Sequence, residues 1–249
     1  MSEIVTGPSL VAPKAGPHIG MCLVAGDMMH TETALDFCRA ANYMSEAKGH
    51  QVTLNRHGGS VLAEARQECI KKSIEAGADW IFSVDSDMRF PVNAIEGMMA
   101  HDLPVVAANC SKRKRPVGPT ARRRNAGFNE DRDSDVVWPD PNVRGIEQVE
   151  TVGFGVVLIK TEVFKRIEWP WFTQPWHEAA GRSIGEDIMF CIRCRDAGIP
   201  IHIDHDLSWA VGHLGVYEFG MKDVLAERQL AEQGAWKGVK GAEGLEVVA

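Results

Sequence analysis

The most constraining feature of this chain is the alternation that runs from residue 18 to residue 109. Apolar runs suited to strands occur at 18–25 (HIGMCLVA), 50–55 (HQVTLN), 79–84 (DWIFSV) and 104–109 (PVVAAN). Between them lie segments with apolar positions at helical spacing, 31–48, 60–76 and a stretch opened by Pro91 and reaching about 101. Gly49 and Gly77 stop the first two helices, and Ser60 reads as the N-cap of the second. Strands separated by helices of this length form a mostly parallel sheet with helices on its faces, because parallel neighbours need long crossovers. Such sheets bind ligands beyond the carboxyl ends of their strands.

The rhythm breaks at 111–148. SKRKRPVGPTARRR holds seven basic residues and no acid, and NEDRDSD follows with four acids. Neither helical nor strand periodicity survives there, so we expect a long mobile loop within one domain spanning 18–219. Strand-like character returns at 149–159 (VETVGFGVVLI), followed by a short helix near 161–167. Then come a Trp/Pro-rich stretch, a helix in GEDIMFCIRCRDAG, a strand in IPIHID and a turn in AVGHLG. Residues 1–17 read as a flexible leader and 220–249 as a polar helix and tail.

Bulk composition excludes several classes. With 27 basic and 34 acidic residues the net charge is −7, which does not suit a nucleic-acid binder as a whole. No apolar run approaches the ~18 residues of a membrane span, and the N-terminus lacks a signal-peptide pattern. Six scattered cysteines, mostly in apolar stretches, read as reduced thiols of a cytoplasmic protein. Cys191 and Cys194 form a C-x-x-C, but with no second pair at zinc spacing they read as helix-packing residues.

The chemistry concentrates at Asp85-Ser86-Asp87, directly after the run WIFSV. Two carboxylates at i and i+2 leaving a strand can face one divalent cation, and hard oxygen ligands suit Mg²⁺ or Mn²⁺. The same pair can form Asx-turns without a metal. Gly185-Glu186-Asp187 opens a helix about a hundred residues later. Its acids either complement the helix dipole or supply a general base. His213, in VGHLG, sits among small residues where an imidazole can reach a metal; His202 and His205 compete with it.

A D-S-D strand end, a G-E-D helix and a late His, in that order, resemble the GT-A glycosyltransferases, family 2 among them. The resemblance implies a nucleotide-diphosphate sugar donor, a UDP- or GDP-sugar, and a glycan or other hydroxyl acceptor. It implies that Asp85, Ser86 and Asp87 hold the sugar nucleotide and that Asp85, Asp87 and His213 bind the metal. Asp187 then takes the role of base, Glu186 orients acceptor or sugar, and Arg66 resembles the basic residue directed at the donor nucleotide. The first strand ends in Ala25-Gly26-Asp27, without the Pro or Thr usual in the large family-2 enzymes.

Other readings stay open at this level. A nucleotidyl- or phosphoryl-transfer enzyme also uses a D-x-D metal site, and a non-catalytic sugar-nucleotide or glycan binder would keep the D-x-D and the aromatics. Trp169, Trp171, Phe172 and Trp176 either stack on sugar rings or fill the core. Gly153 and Gly155 allow close backbone approach or mark a bulge. The basic loop 112–124 either closes over a diphosphate, grips nucleic acid or a membrane surface, or is solvated. If it closes, neutralising Arg122, Arg123 and Arg124 raises a KM.

Overall fold

The computed structural model describes residues 15–26, 28–59, 61–114, 116–123, 135–178, 181–215 and 218–232. Asp27, Ser60, Arg124, most of the leader, the acidic half of the central segment and the tail beyond 232 lie outside the described residues.

The elements run β1 (Gly16–Val24), α1 (Thr31–Asn42), β2 (His50–His57), α2 (Leu62–Glu75), β3 (Trp80–Asp85), β4 (Met88–Arg89), α3 (Ala94–Ala100) and β5 (Val105–Ala107). They continue with β6 (Ile146–Val149), β7 (Val156–Lys160), α4 (Val163–Arg166), β8 (Trp176–His177), β9 (Arg182–Ser183) and α5 (Glu186–Asp196). The chain then forms β10 (Ile201–Asp204), α6 (His205–Ala210), β11 (Gly212–His213) and α7 (Met221–Glu232). The expected α/β class and its mostly parallel sheet are what the structure shows. Seven strands form one sheet in the order β2-β1-β3-β7-β5-β10-β6. β2, β1, β3, β5 and β10 run one way, while β7 and β6 are antiparallel to their neighbours.

Period-two side-chain direction explains the layering. On β3, Ile81 enters a core shared with α2, α4 and α5, whereas Trp80, Phe82 and Val84 enter a second core with α1, α3 and α6. On β7, Val157 and Ile159 join the first core, Val156 and Leu158 the second. Strands covered on both faces read as continuous apolar runs, which is why WIFSV lacks alternation. The C-x-x-C pair belongs to the first core: Cys191 and Cys194 are fully buried on α5.

Several local expectations are corrected. The α-helix from Thr31 ends at Asn42, and residues 43–47 continue as a π-helical turn before Gly49. The second helix begins at Leu62 behind Val61, which offers no side-chain cap. The run at 149–159 is two strands, not one: β6 ends at Val149 on the sheet's edge, and β7 starts at Val156 between β3 and β5. The VGHLG turn contains β11, which pairs with β4.

Described parts of the 111–148 segment are pinned to the body. Val117, Ala121, Val136 and Val137 are buried. Arg122 bridges to both Val136 and Thr151 through its backbone. Asn109, 2% exposed two residues beyond β5, organises this region. Its Oδ1 accepts from the Thr120 and Ala121 amides, at 3.1 and 2.9 Å, and its Nδ2 donates to the Val137 carbonyl at 2.8 Å.

Candidate functional site

The sheet's topology brings four chain segments to one edge. β3 delivers Asp85 at its carboxyl end, and β7, running the other way, begins beside it, so that the Asp85 amide donates to the Gly155 carbonyl at 3.0 Å. β5 continues into Cys110 and Ser111, and α5 starts nearby with Glu186 and Asp187. Together they line a cavity of about 380 Å³ bounded by Asp85, Asp187, His213, Thr120, Phe154 and the cationic run Lys112–Lys114. Gly155 keeps the floor open: a Cβ there would stand 3.0 Å from the Met88 sulfur and 3.1 Å from that of Cys110.

His213 arrives by a two-residue pairing. β11 aligns His213 with Met88, and the Leu214 amide donates to the Asp87 carbonyl at 2.7 Å. The imidazole Nδ1 lies 2.8 Å from the Ser111 carbonyl, and Nε2 lies 3.2 Å from Asp87 Oδ2. A carbonyl only accepts, so Nδ1 carries the proton and Nε2 faces the carboxylate. In the neutral imidazole that would set a lone pair against an oxygen, so a proton or another cation belongs between them. Arg113 supplies further positive charge, with Nη1 2.7 Å from the same Asp87 oxygen. Burial works to raise the Asp87 carboxyl, but His213 and Arg113 outweigh it and hold it below its ordinary value. Burial likewise works to lower His213, but Asp87 and the Ser111 carbonyl outweigh it and hold the imidazole above its usual value.

Among the described residues, no group of three or more His, Cys, Asp and Glu side chains is arranged to hold a metal ion. Asp87 presents a carboxylate of the kind that takes Mn²⁺ or Mg²⁺, and His213 a nitrogen of the kind that transition ions accept, with remaining positions left to ligand and water. The donor set therefore fits a cation completed by a bound diphosphate. Asp85 is oriented differently, since its Oδ1 accepts from Arg66 Nη2 at 2.8 Å.

Arg66 sits beneath the cavity rather than in its wall. It is 1% exposed, and its Nη1 donates to Ser83 Oγ at 3.0 Å and to the Phe154 carbonyl at 3.3 Å. Its guanidinium carbon lies 5.7 Å from the Phe154 ring centre and 6.0 Å from that of Phe172. Glu186 is 5% exposed and turned toward Arg66, 3.4 Å away, and Gln174, 3.0 Å away. One guanidinium thus ties the end of β3 to the start of α5. Asp187, by contrast, lines the cavity. Burial, reinforced by the neighbouring Glu186 carboxylate, pushes its pKa up to about 6. Ser86 is fixed through its backbone: its amide donates to the Val24 carbonyl and its carbonyl accepts from the His30 amide, both at 3.1 Å.

The remaining candidates lie elsewhere. His205 bonds Glu147 at 2.9 Å on the far side of β10, and His202 pairs within the sheet. Phe172 stacks on Phe190 at 5.0 Å within the core, and Trp171 packs against that core, while Trp169 and Trp176 are exposed. The basic segment divides: Lys112, Arg113 and Lys114 face the cavity, whereas Arg123 pairs with Glu147 at 2.6 Å. With Arg113 and Arg123 engaged by acids of this chain, the expectation of nucleic-acid or membrane contact through 112–124 has no support among the described residues. Nothing in the sequence singles out Ser111 or Thr120, and Arg113 shows only as part of the charge run.

A model of the Anp1 family, a GT-A-like mannosyltransferase family, matches residues 33–135, less than half of the chain. It supports a GT-A nucleotide-sugar transferase fold. Among solved structures, A197 from STIV is similar at 15% identity and a TM-score of 0.50, over 80% of this chain and 86% of that one. The catalytic domain of Drosophila β1,4-galactosyltransferase 7 in complex with xylobiose is 15% identical with a TM-score of 0.41, over 84% and 69% of the two chains. A mutant of that Drosophila enzyme in complex with manganese, UDP-Gal and xylobiose is 14% identical with a TM-score of 0.40, over 90% and 77%. At 15% identity the likeness to A197 concerns the fold alone. No curated protein matches the chain in sequence.

Proposed function

We propose that the chain is a metal-dependent glycosyltransferase moving a sugar from a nucleotide-diphosphate donor, a UDP- or GDP-sugar, to a hydroxyl acceptor such as a glycan. The observation that carries this reading is the convergence of Asp85, Asp187, His213 and the Lys112–Lys114 run on one cavity, with Asp87 bonded to two residues of its wall. Asp87 and His213 would hold a divalent ion, which would supply neutralising charge to the diphosphate. The chain's own groups do the rest. Asp85, anchored by Arg66, faces the donor from the end of β3, and Ser86 fixes the turn between the two acids. Lys112 and Lys114 bring cationic groups to the phosphate side of the cavity. Asp187, with a pKa near working pH, takes the proton of the acceptor hydroxyl if the anomeric centre inverts. Glu186 holds Arg66 and the start of α5 in place and does so without facing the acceptor.

Among the described residues no helix is long and apolar enough to cross a membrane. All six cysteines are free, five of them buried. We place the enzyme in the reducing cytoplasm on that account.

The test is release of nucleoside diphosphate from a panel of UDP- and GDP-sugars by the purified chain with Mn²⁺. Turnover of one donor, abolished in Asp87→Asn, is the expected result. A panel without turnover, despite saturable Mn²⁺ and UDP binding, would instead favour a non-catalytic sugar-nucleotide binder.

A further inference from the structure

Resting on that reading of the site, we infer that Arg113 is a built-in counter-cation that leaves Asp87 when a metal binds and then grips the donor diphosphate. Three observations carry it. Arg113 Nη1 lies 2.7 Å from Asp87 Oδ2, the same oxygen that faces His213 Nε2. The guanidinium also donates to the Leu214 carbonyl at 3.0 Å, so it is held at the spot where the Asp87–His213 pair opens. Its side chain is 45% exposed and stands in the cavity wall between Lys112 and Lys114.

A dication on Asp87 Oδ2 would stand within contact range of the guanidinium, and like charges that close repel. Arg113 and the metal therefore exclude one another at Asp87. Freed, the guanidinium has two parallel donors, the geometry that suits a phosphate, and it is already on the cavity wall. The exchange makes the metal and the diphosphate mutually supportive, because the metal releases the arginine that the anion needs. Arg113 is thus a donor-binding residue whose availability depends on the ion.

Calorimetry on the full chain tests this with two probes, Mn²⁺ alone and UDP at saturating Mn²⁺, on wild type, Arg113→Gln and Arg113→Lys. Arg113 is nearly half exposed, so removing this salt bridge should tighten Mn²⁺ binding by about two- to fivefold. The same variant should bind UDP about tenfold more weakly. Arg113→Lys, which keeps the charge, should stay near wild type for Mn²⁺ and recover part of the UDP affinity. An Arg113→Gln protein that melts normally and binds Mn²⁺ no more tightly than wild type overturns the exchange. Tighter Mn²⁺ with unchanged UDP binding overturns the second half of it. If both affinities shift as expected but no UDP- or GDP-sugar is turned over, the exchange stands and the sugar-transfer reading falls.

Discussion

Nε2 of His213 stands 3.2 Å from Oδ2 of Asp87, although 126 positions of sequence separate the two residues. The pairing of β11 with β4 and the Ser111 carbonyl hold the imidazole in that orientation. Removing the negative partner should therefore change the ring's titration. In Asp87→Asn the carboxylate's share of the upward pull is lost, leaving the Ser111 carbonyl against burial, and the His213 pKa should fall below that of wild type, read from its imidazole protons by NMR. An unchanged value would mean that Asp87 does not set the charge of this ring.

Asp187 gives a pH dependence of defined sign. Its carboxyl is raised from the ordinary value to about 6, so the basic form accumulates above that pH. As a general base it should make kcat/KM rise through about pH 6 and then level, and Asp187→Asn should cost on the order of 10²–10⁴ in rate. A raised acid also means that its contribution to stability is complete below about pH 4 and is lost as pH rises through about 6. Asp187→Asn keeps an oxygen to accept from the Ile188 amide, 2.7 Å away in wild type. It should be more stable than wild type by roughly 1–2 kcal/mol at pH 7.5 and equal near pH 4, read by urea denaturation.

Arg66 makes the opposite case. Its loss strands Asp85 and Glu186 near one another without a counter-charge in a largely buried setting. Arg66→Met should cost about 3–5 kcal/mol, and the further change Glu186→Gln should return part of it. Additive losses in the double variant would show that the two side chains do not depend on each other.

The basic segment separates in space into Lys112–Lys114 at the cavity and Arg123 beside Glu147. Replacing Lys112 and Lys114 together by Gln should raise the donor KM several-fold with little change in kcat, and increasingly so at low salt. Arg123→Gln, which removes one partner of Glu147 and leaves it His205, should keep donor KM within about twofold. Equal effects from the two variants would argue for a diffuse electrostatic role of the whole segment.

What was legible in the sequence is the part encoded locally. The apolar strands and helical spacings of 18–109 required no distant partner, and Gly49 and Gly77 adopt the left-handed φ values, +70° and +84°, that end helices. The insertion of β7 between β3 and β5 was not legible, because a doubly covered strand shows the same apolar run whichever way it points. Two-residue strands such as β4 and β11 have no periodicity at all, so the path by which His213 reaches Asp87 emerges only in three dimensions. Asn109 was passed over for a similar reason: its amide satisfies backbone groups from a segment that looked featureless. Arg66 was noticed as a basic residue, yet nothing in AEARQEC indicates that it lies under the cavity, enclosed by aromatic rings and acids.

The most direct test of the account is a crystal of the chain soaked with Mn²⁺ and UDP and examined by anomalous diffraction. The expected result is one manganese peak within about 2.0–2.4 Å of both Asp87 Oδ2 and His213 Nε2, with the diphosphate completing its shell. A peak bonded to neither residue, or UDP bound outside this cavity, would contradict it.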